Sequence, residues 1–274
     1  MGKVKKSTQL LSVILLLLTS SLLAQNPQPL KLNVGADIFS RYVWRGYDFG
    51  GSPSIQPTFS LSKGAFEAGF WGAYATNSDF TETDFYLKAN VKSFSVILTD
   101  YFVPNSSSDI NDSRYFAWSN KNEIRYDPLT GNPEDKFTTH LIEAAVQFNG
   151  TKKFPVRLLV GTMIFGNDKL PTDTITSNTG TIEQVNFENQ YSTYIELGYK
   201  FSIQENDIDL FLGFTPSASV YSTPLYEGDF ALVNAGITGY RALKITDEFD
   251  LPLKASLIFN PQASTIFFVF GITL

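Results

Sequence analysis

The strongest constraint on this chain is a two-residue rhythm that returns in nearly every segment after residue 30. In the first such stretch, Leu30 to Gly46, one face carries Leu30, Leu32, Val34, Ala36 and Ile38, then Tyr42 and Trp44. The other carries Lys31, Asn33, Asp37, Arg41 and Arg45. Successive side chains on a strand point to opposite sides, so the pattern predicts a strand with one apolar and one charged face. It recurs in Phe85, Leu87, Ala89 and Val91 against Asp84, Tyr86 and Lys88, and lastly in Ile266, Phe268, Phe270 and Ile272. The longest apolar run after the N-terminal region, Ile266 to Ile272, has seven residues. A membrane-crossing helix needs ~20. If the chain spans a membrane, it does so as strands closed into a barrel, the one sheet form that leaves no unpaired edge in lipid.

The rhythm divides the chain into about twelve strands, an even number. Reversals near residues 63, 92, 150, 206 and 247 are tight, whereas those at 104–136, 166–188 and 217–229 are long and polar. Alternate reversals of an up-and-down barrel lie at the same end, and all the long ones fall on one end. In outer-membrane barrels that end is extracellular and the short turns are periplasmic. The fold class expected is therefore all-β, an antiparallel up-and-down transmembrane β-barrel. Pro57 is a local fault in its strand, Asp100 predicts a bulge or the end of a lipid-facing stretch, and small residues on both faces leave the register of 230–243 open.

Residues 1–24 have the form of a secretory signal: Lys3, Lys5 and Lys6, an apolar run from Leu10 to Leu18, then small residues leading to Ala24. The expected division is a signal peptide over 1–24 and one outer-membrane barrel domain over 25–274. Cysteine is absent, so there is no disulfide framework and no thiolate metal site. The segment after Ala24 holds 18 basic and 27 acidic residues, a net charge of −9 that argues against nucleic acid as a partner. No cofactor motif appears.

Placing Arg41, Arg157, Lys88 or Lys200 toward lipid would cost about 2–4 kcal/mol each near mid-membrane. The charged face of a membrane barrel must then point inward. The expected lumen-lining set is Lys31, Asp37, Arg41, Arg45, Glu67, Asp84, Lys88, Glu143, Arg157, Glu196, Lys200, Asp209 and Lys254. A soluble sheet with its apolar face inward would expose the same charges to water at no cost, so alternation alone does not separate the cases. Aromatic residues make up 15% of the chain, and Tyr42, Trp44, Tyr74, Phe137, Phe165 and Tyr191 fall near strand ends where interfacial girdles belong. Together with the even strand count they favour the membrane over a secreted β-sandwich binding module.

At Ser40 to Gly46, SRYVWRG, the chain resembles a family of uncharacterised Gram-negative outer-membrane proteins called Gcw_chp, some of them described as TorF-type porins. Further points of similarity are Phe70-Trp71-Gly72, Glu82 to Tyr86 and the closing strand pair. The resemblance implies a barrel with a porin-like role and brings no catalytic residues. Arg41 and Arg45 then form either a basic constriction that selects anions or a network with Asp37, Glu67 or Asp84 that fills the bore. His140, the single histidine, falls on the lipid-facing side, with no serine beside it to form a nucleophile–base pair, so no enzymatic activity is expected. The long loops with the remaining reversals of that end hold fourteen acidic and five basic residues. Their field would concentrate cations, or divalent ions bridging to lipopolysaccharide. The expected function is a passive channel for ions or small solutes, with membrane lipid and lipopolysaccharide as partners; the alternative is a non-conducting structural barrel.

Overall fold

A computed structural model of the chain describes residues 28–104, 114–134, 137–222, 228 and 230–274. The expected signal segment lies outside the described residues. The strands are β1 (Lys31–Phe39), β2 (Tyr42–Trp44), β3 (Tyr47–Phe49), β4 (Ser54–Lys63), β5 (Phe66–Ala75), β6 (Thr81–Val91), β7 (Phe94–Phe102), β8 (Glu123–Arg125), β9 (His140–Phe148), β10 (Val156–Gly166), β11 (Lys169–Thr176), β12 (Ile182–Asn189), β13 (Thr193–Ile203), β14 (Asn206–Thr215), β15 (Ala231–Lys244), β16 (Asp250–Asn260) and β17 (Thr265–Thr273). Twelve of them close a barrel in the order β1-β17-β16-β15-β14-β13-β10-β9-β7-β6-β5-β4, every pairing antiparallel. First and last strands meet at Asp37↔Thr273, Ile38↔Ile272 and Phe39↔Gly271, so the sheet has no free edge at this seam.

The faces follow from register. Leu87 pairs with Leu98, and Leu98 with Ala144, all on the outside. The outer surface is apolar and uncovered around the barrel: Val34 is 71% exposed, Phe268 61% and Val146 50%, while inward Ser60, Glu143 and Asp209 are buried. That is the inverse of a β-sandwich, whose apolar faces would meet each other, and the sandwich alternative falls with it. The open register of 230–243 resolves the same way. Thr238 pairs with Asp209 and Gly236 with Phe211, which puts Asn234, Gly236, Thr238 and Tyr240 inside. Small residues suit both faces because a side chain on Gly236 would overlap the inward Phe211 ring.

No bulge forms at Asp100. It stays in register between Phe85 and Ile142, on the outer face. A segment of the following loop folds over it from outside: the Tyr115 hydroxyl donates to Asp100 Oδ2 at 3.1 Å, His140 Nδ1 lies 2.8 Å from Asp100 Oδ1, and Trp118 stacks on the His140 ring at 3.7 Å. His140 is thus on the expected face yet fully buried. Burial, and then the charge of Asp100, push the Tyr115 hydroxyl up to about 12. Within the barrel the bulges lie elsewhere, between Met163 and Phe165 and between Gly213 and Phe214.

The long reversals, expected as irregular polar loops, carry a second sheet in the order β11-β12-β8. Lys169–Thr176 and Ile182–Asn189 are rich in Thr, Ile and Val around a Ser177–Thr181 turn, so they pair as a hairpin despite their polarity. Desolvation lowers the Lys169 ammonium, which donates to Asn122 at 2.8 Å.

Candidate functional site

The bore is filled at the long-loop end by a hairpin that the chain makes immediately after β1. Strand β1 ends at Phe39, not at Gly46. Ser40 is held to Phe270 of β17 by a bond from its own N–H at 2.8 Å and by one that its hydroxyl accepts at 3.1 Å, and beyond it the chain turns inward. There β2 and β3 pair Tyr42 with Phe49 and Trp44 with Tyr47, leaving Arg45 and Gly46 at the tip. Both have positive φ, 49° and 86°, as a two-residue type I′ turn requires. A Cβ on Gly46 would overlap the backbone carbonyl of Val233, so the tip rests directly on β15. Asn260 Nδ2 donates to the Gly46 carbonyl at 3.4 Å from β16.

Arg45 reaches Glu143 of β9, five strands round the barrel from β1. Its two terminal nitrogens donate to the two carboxylate oxygens at 2.7 and 2.8 Å, with the side chains 8% and 4% exposed. The Tyr101 hydroxyl donates to the same carboxylate at 3.0 Å, and Arg45 also donates to the Tyr221 hydroxyl. The rings of Trp44 and Tyr194 lie 4.5 and 4.3 Å from the guanidinium carbon. Gly161 makes room for the pair, because a Cβ there would overlap the Glu143 carboxylate. A charge this deep is tolerable only when paired and hydrogen-bonded, and three hydrogen bonds, two of them to Glu143, meet that need here.

A second inward segment completes the plug. Residues 217–222 fold under the loops, held by Thr215, Ser219 and Ser222 hydroxyls and by Val220 N–H donating to Ser192 Oγ at 2.9 Å. Tyr221 enters the bore, where its carbonyl accepts from the Tyr47 hydroxyl at 2.6 Å. Met163, Tyr194, Tyr221 and Val233 form an apolar cluster at 0–1% exposure, with Trp44, Tyr101 and Leu141 against it. Around the rest of the circumference Phe39, Val269, Asn260, Ala73 and Gln56 are buried at 8% exposure or less. At this level the bore is occupied by buried side chains.

The lower bore is charged and less tightly filled. Arg157 donates to Asp209 at 3.3 Å and lies 3.0 Å from Glu196, and Lys200 stands 4.0 Å from Asp209 with 63% of its side chain exposed. Glu196 accepts from Tyr194 at 2.6 Å, and Glu67 from Tyr86 at 2.7 Å. Asp37 accepts from Thr273, and Lys254 Nζ sits 4.7 Å from the Phe39 ring centre. Lys31 pairs in register with Ser62, and Lys88 with Glu67. Asp84 is the exception, buried beside Glu82 at the level of the plug.

Arg41 and Arg45 depart from their expected places. Neither lies on β1, and neither pairs with Asp37, Glu67 or Asp84. Arg41 binds Asp48 within the hairpin and Arg45 binds Glu143. Tyr42 and Trp44, expected at the membrane interface, are inside the barrel for the same reason: Tyr42 is 5.2 Å from Trp71 and Trp44 is 5.3 Å from Tyr101, ring to ring. Sequence reasoning missed Glu82 and Tyr101 as bore residues; each shares the parity of an expected one, Asp84 and Glu143 respectively, once the pairing is known.

Above the plug, between the hairpin and the loops, lies a cavity of about 690 Å³. A second of about 510 Å³ opens at the other end beside Lys200, Asp209 and Tyr240. No protein-family model and no curated protein matched the chain.

Proposed function

We propose that this chain is a barrel of the bacterial outer membrane whose bore is shut at rest by its own hairpin and passes ions or small solutes only when that hairpin is displaced. The observation that carries the membrane placement is the outer face, a continuous belt of exposed Leu, Ile, Val and Phe on a closed barrel. In water, apolar surface on this scale would drive association; against acyl chains it is solvated. The long loops would then face outward from the cell and the tight turns the periplasm, with lipid and lipopolysaccharide as neighbours. The resemblance at SRYVWRG agrees with this placement, and that segment is the plugging hairpin itself.

The closed state rests on the solid upper bore. Conduction requires the tip to leave Val233 and Glu143, and the charged lower bore would then line the route. Planar-bilayer recording of the refolded protein tests this: the native chain should give rare brief openings and Arg45→Ala frequent ones. Silence from both, with the barrel folded, would leave a structural, non-conducting role in place of the channel.

A further inference from the structure

We infer that the cavity above the plug is a binding site for an organic cation, a protonated amine carried on a compact apolar or aromatic body. Its volume of about 690 Å³ is that of a small-molecule site. Trp44, Phe49, Phe80 and Tyr101 supply aromatic wall, and the ionisable charges on its lining are three carboxylates, Asp48, Asp79 and Glu82. Aromatic faces and carboxylates together are the chemistry that recognises ammonium groups.

Two further observations say that something positive is wanted there. Glu82 is 5% exposed and Asp84, two residues along on the same face, 4%. Among the described residues no basic side chain pairs with either; the neighbours of Glu82 are the Tyr42 hydroxyl and Asp84 itself. Asp48 spends one carboxylate oxygen on Arg41, while the other is buried with no partner. A hydrogen bond between two acids needs one of them protonated, so the Glu82–Asp84 pair carries one negative charge with no basic partner among the described residues, and an incoming ammonium relieves that cost.

Other ligand classes fit less well. An anion would meet three lining carboxylates against the single guanidinium of Arg41, already bound to Asp48, and a neutral solute brings no positive charge to them. A metal ion needs several oxygens converging on one point, and among the described residues no group of three or more carboxylate or histidine side chains is placed to hold one. The acidic loops above would raise the local concentration of cations.

The test is calorimetric titration of the whole refolded protein in detergent with 2-phenylethylamine, against 2-phenylethanol as its uncharged counterpart and calcium chloride as the metal control. The amine should bind saturably at one site, with the alcohol and calcium at least about tenfold weaker. Glu82→Gln should weaken the amine about tenfold and leave the alcohol unchanged, with folding checked by heat-modifiable mobility. If that variant does not fold, Asp79→Asn at the cavity edge should still weaken the amine about twofold to threefold, less in high salt. No saturable heat up to about 10 mM amine, equal affinity for the alcohol, tighter binding of calcium, or indifference to whichever variant folds would each overturn the site. The inference needs the plug but not conduction. Amine binding without channel openings in native or Arg45→Ala protein removes the channel and keeps the site, and openings without amine binding do the reverse.

Discussion

In the upper bore one guanidinium, Arg45, meets one carboxylate, Glu143, and the two side chains are 8% and 4% exposed; in the lower bore Arg157 is 24% exposed and meets both Glu196 and Asp209. The first pair is ringed by Trp44, Tyr101, Tyr194 and Tyr221, the second by side chains open to water such as Lys200. The same two residue types therefore do different physical work. Where water is excluded, attraction is strong but so is the desolvation it must offset, and the pair acts as a latch that is either fully made or expensive. Where water enters, each contact is screened and exchangeable, and the charges set the potential of the bore more than its shape.

The sharpest way to break this contrast is Arg45→Ala. It leaves the Glu143 carboxylate buried with the Tyr101 hydroxyl as its hydrogen-bond partner, at a cost of about 3–5 kcal/mol. Urea unfolding in micelles should register that loss, and bilayer recordings should show the bore opening more often. Arg45→Met combined with Glu143→Met should recover most of the stability, because an apolar pair of similar volume needs no desolvation. A single variant as stable as the native chain would mean the upper bore is wetter than its burial implies.

The barrel was legible in the sequence because an apolar outer face and a charged bore impose strict alternation, and the charged residues can occupy only one parity. That logic placed Glu143, Arg157 and Asp209 on one face and put the long reversals on one end. It failed where alternation continues through a change of direction. Tyr42 and Trp44 have the parity of Ile38, so the first strand read as running on to Gly46, when the chain had already turned at Ser40. The signal was present in the near-mirror arrangement of aromatics around Arg45-Gly46, Tyr-Val-Trp before and Tyr-Asp-Phe after, which is that of a hairpin. Nothing local could name the partner of Arg45, since Glu143 lies 98 residues away and meets it only once the barrel has closed. The β11-β12-β8 sheet escaped for a different reason: polar strands that bury neither face carry no hydrophobic period to read.

Gly46→Ala probes the seat of the latch and not its charge. The added methyl meets a backbone carbonyl that cannot swing aside, in a positive-φ conformation that alanine disfavours, for about 1–3 kcal/mol. The ion pair itself is untouched, so openings should rise less than in Arg45→Ala while the lower bore behaves as before. Gly161→Ala attacks the same latch from the wall by crowding the Glu143 carboxylate, and should give a loss in the same range. If either left both stability and openings unchanged, the hairpin tip would not be what closes the bore.

The smallest effects belong to the wet half and sharpen the contrast by their size. Arg157→Ala should cost about 1–2 kcal/mol, less than Arg45→Ala, since Glu196 is partly open to water and Lys200 stays beside the buried Asp209. Lys200→Ala, removing a contact of 4.0 Å from a side chain 63% exposed, should fall below about 0.5 kcal/mol. Ionic strength separates the two regimes more cleanly than either figure: at 1 M salt, with a screening length of about 3 Å, the Lys200→Ala difference should vanish while that of Arg45→Ala persists. Unfolding curves of the three variants at low and high salt would show it. If salt abolished the Arg45→Ala loss as well, the plug would be permeated by water and ions, and the hairpin would be a constriction in an open bore.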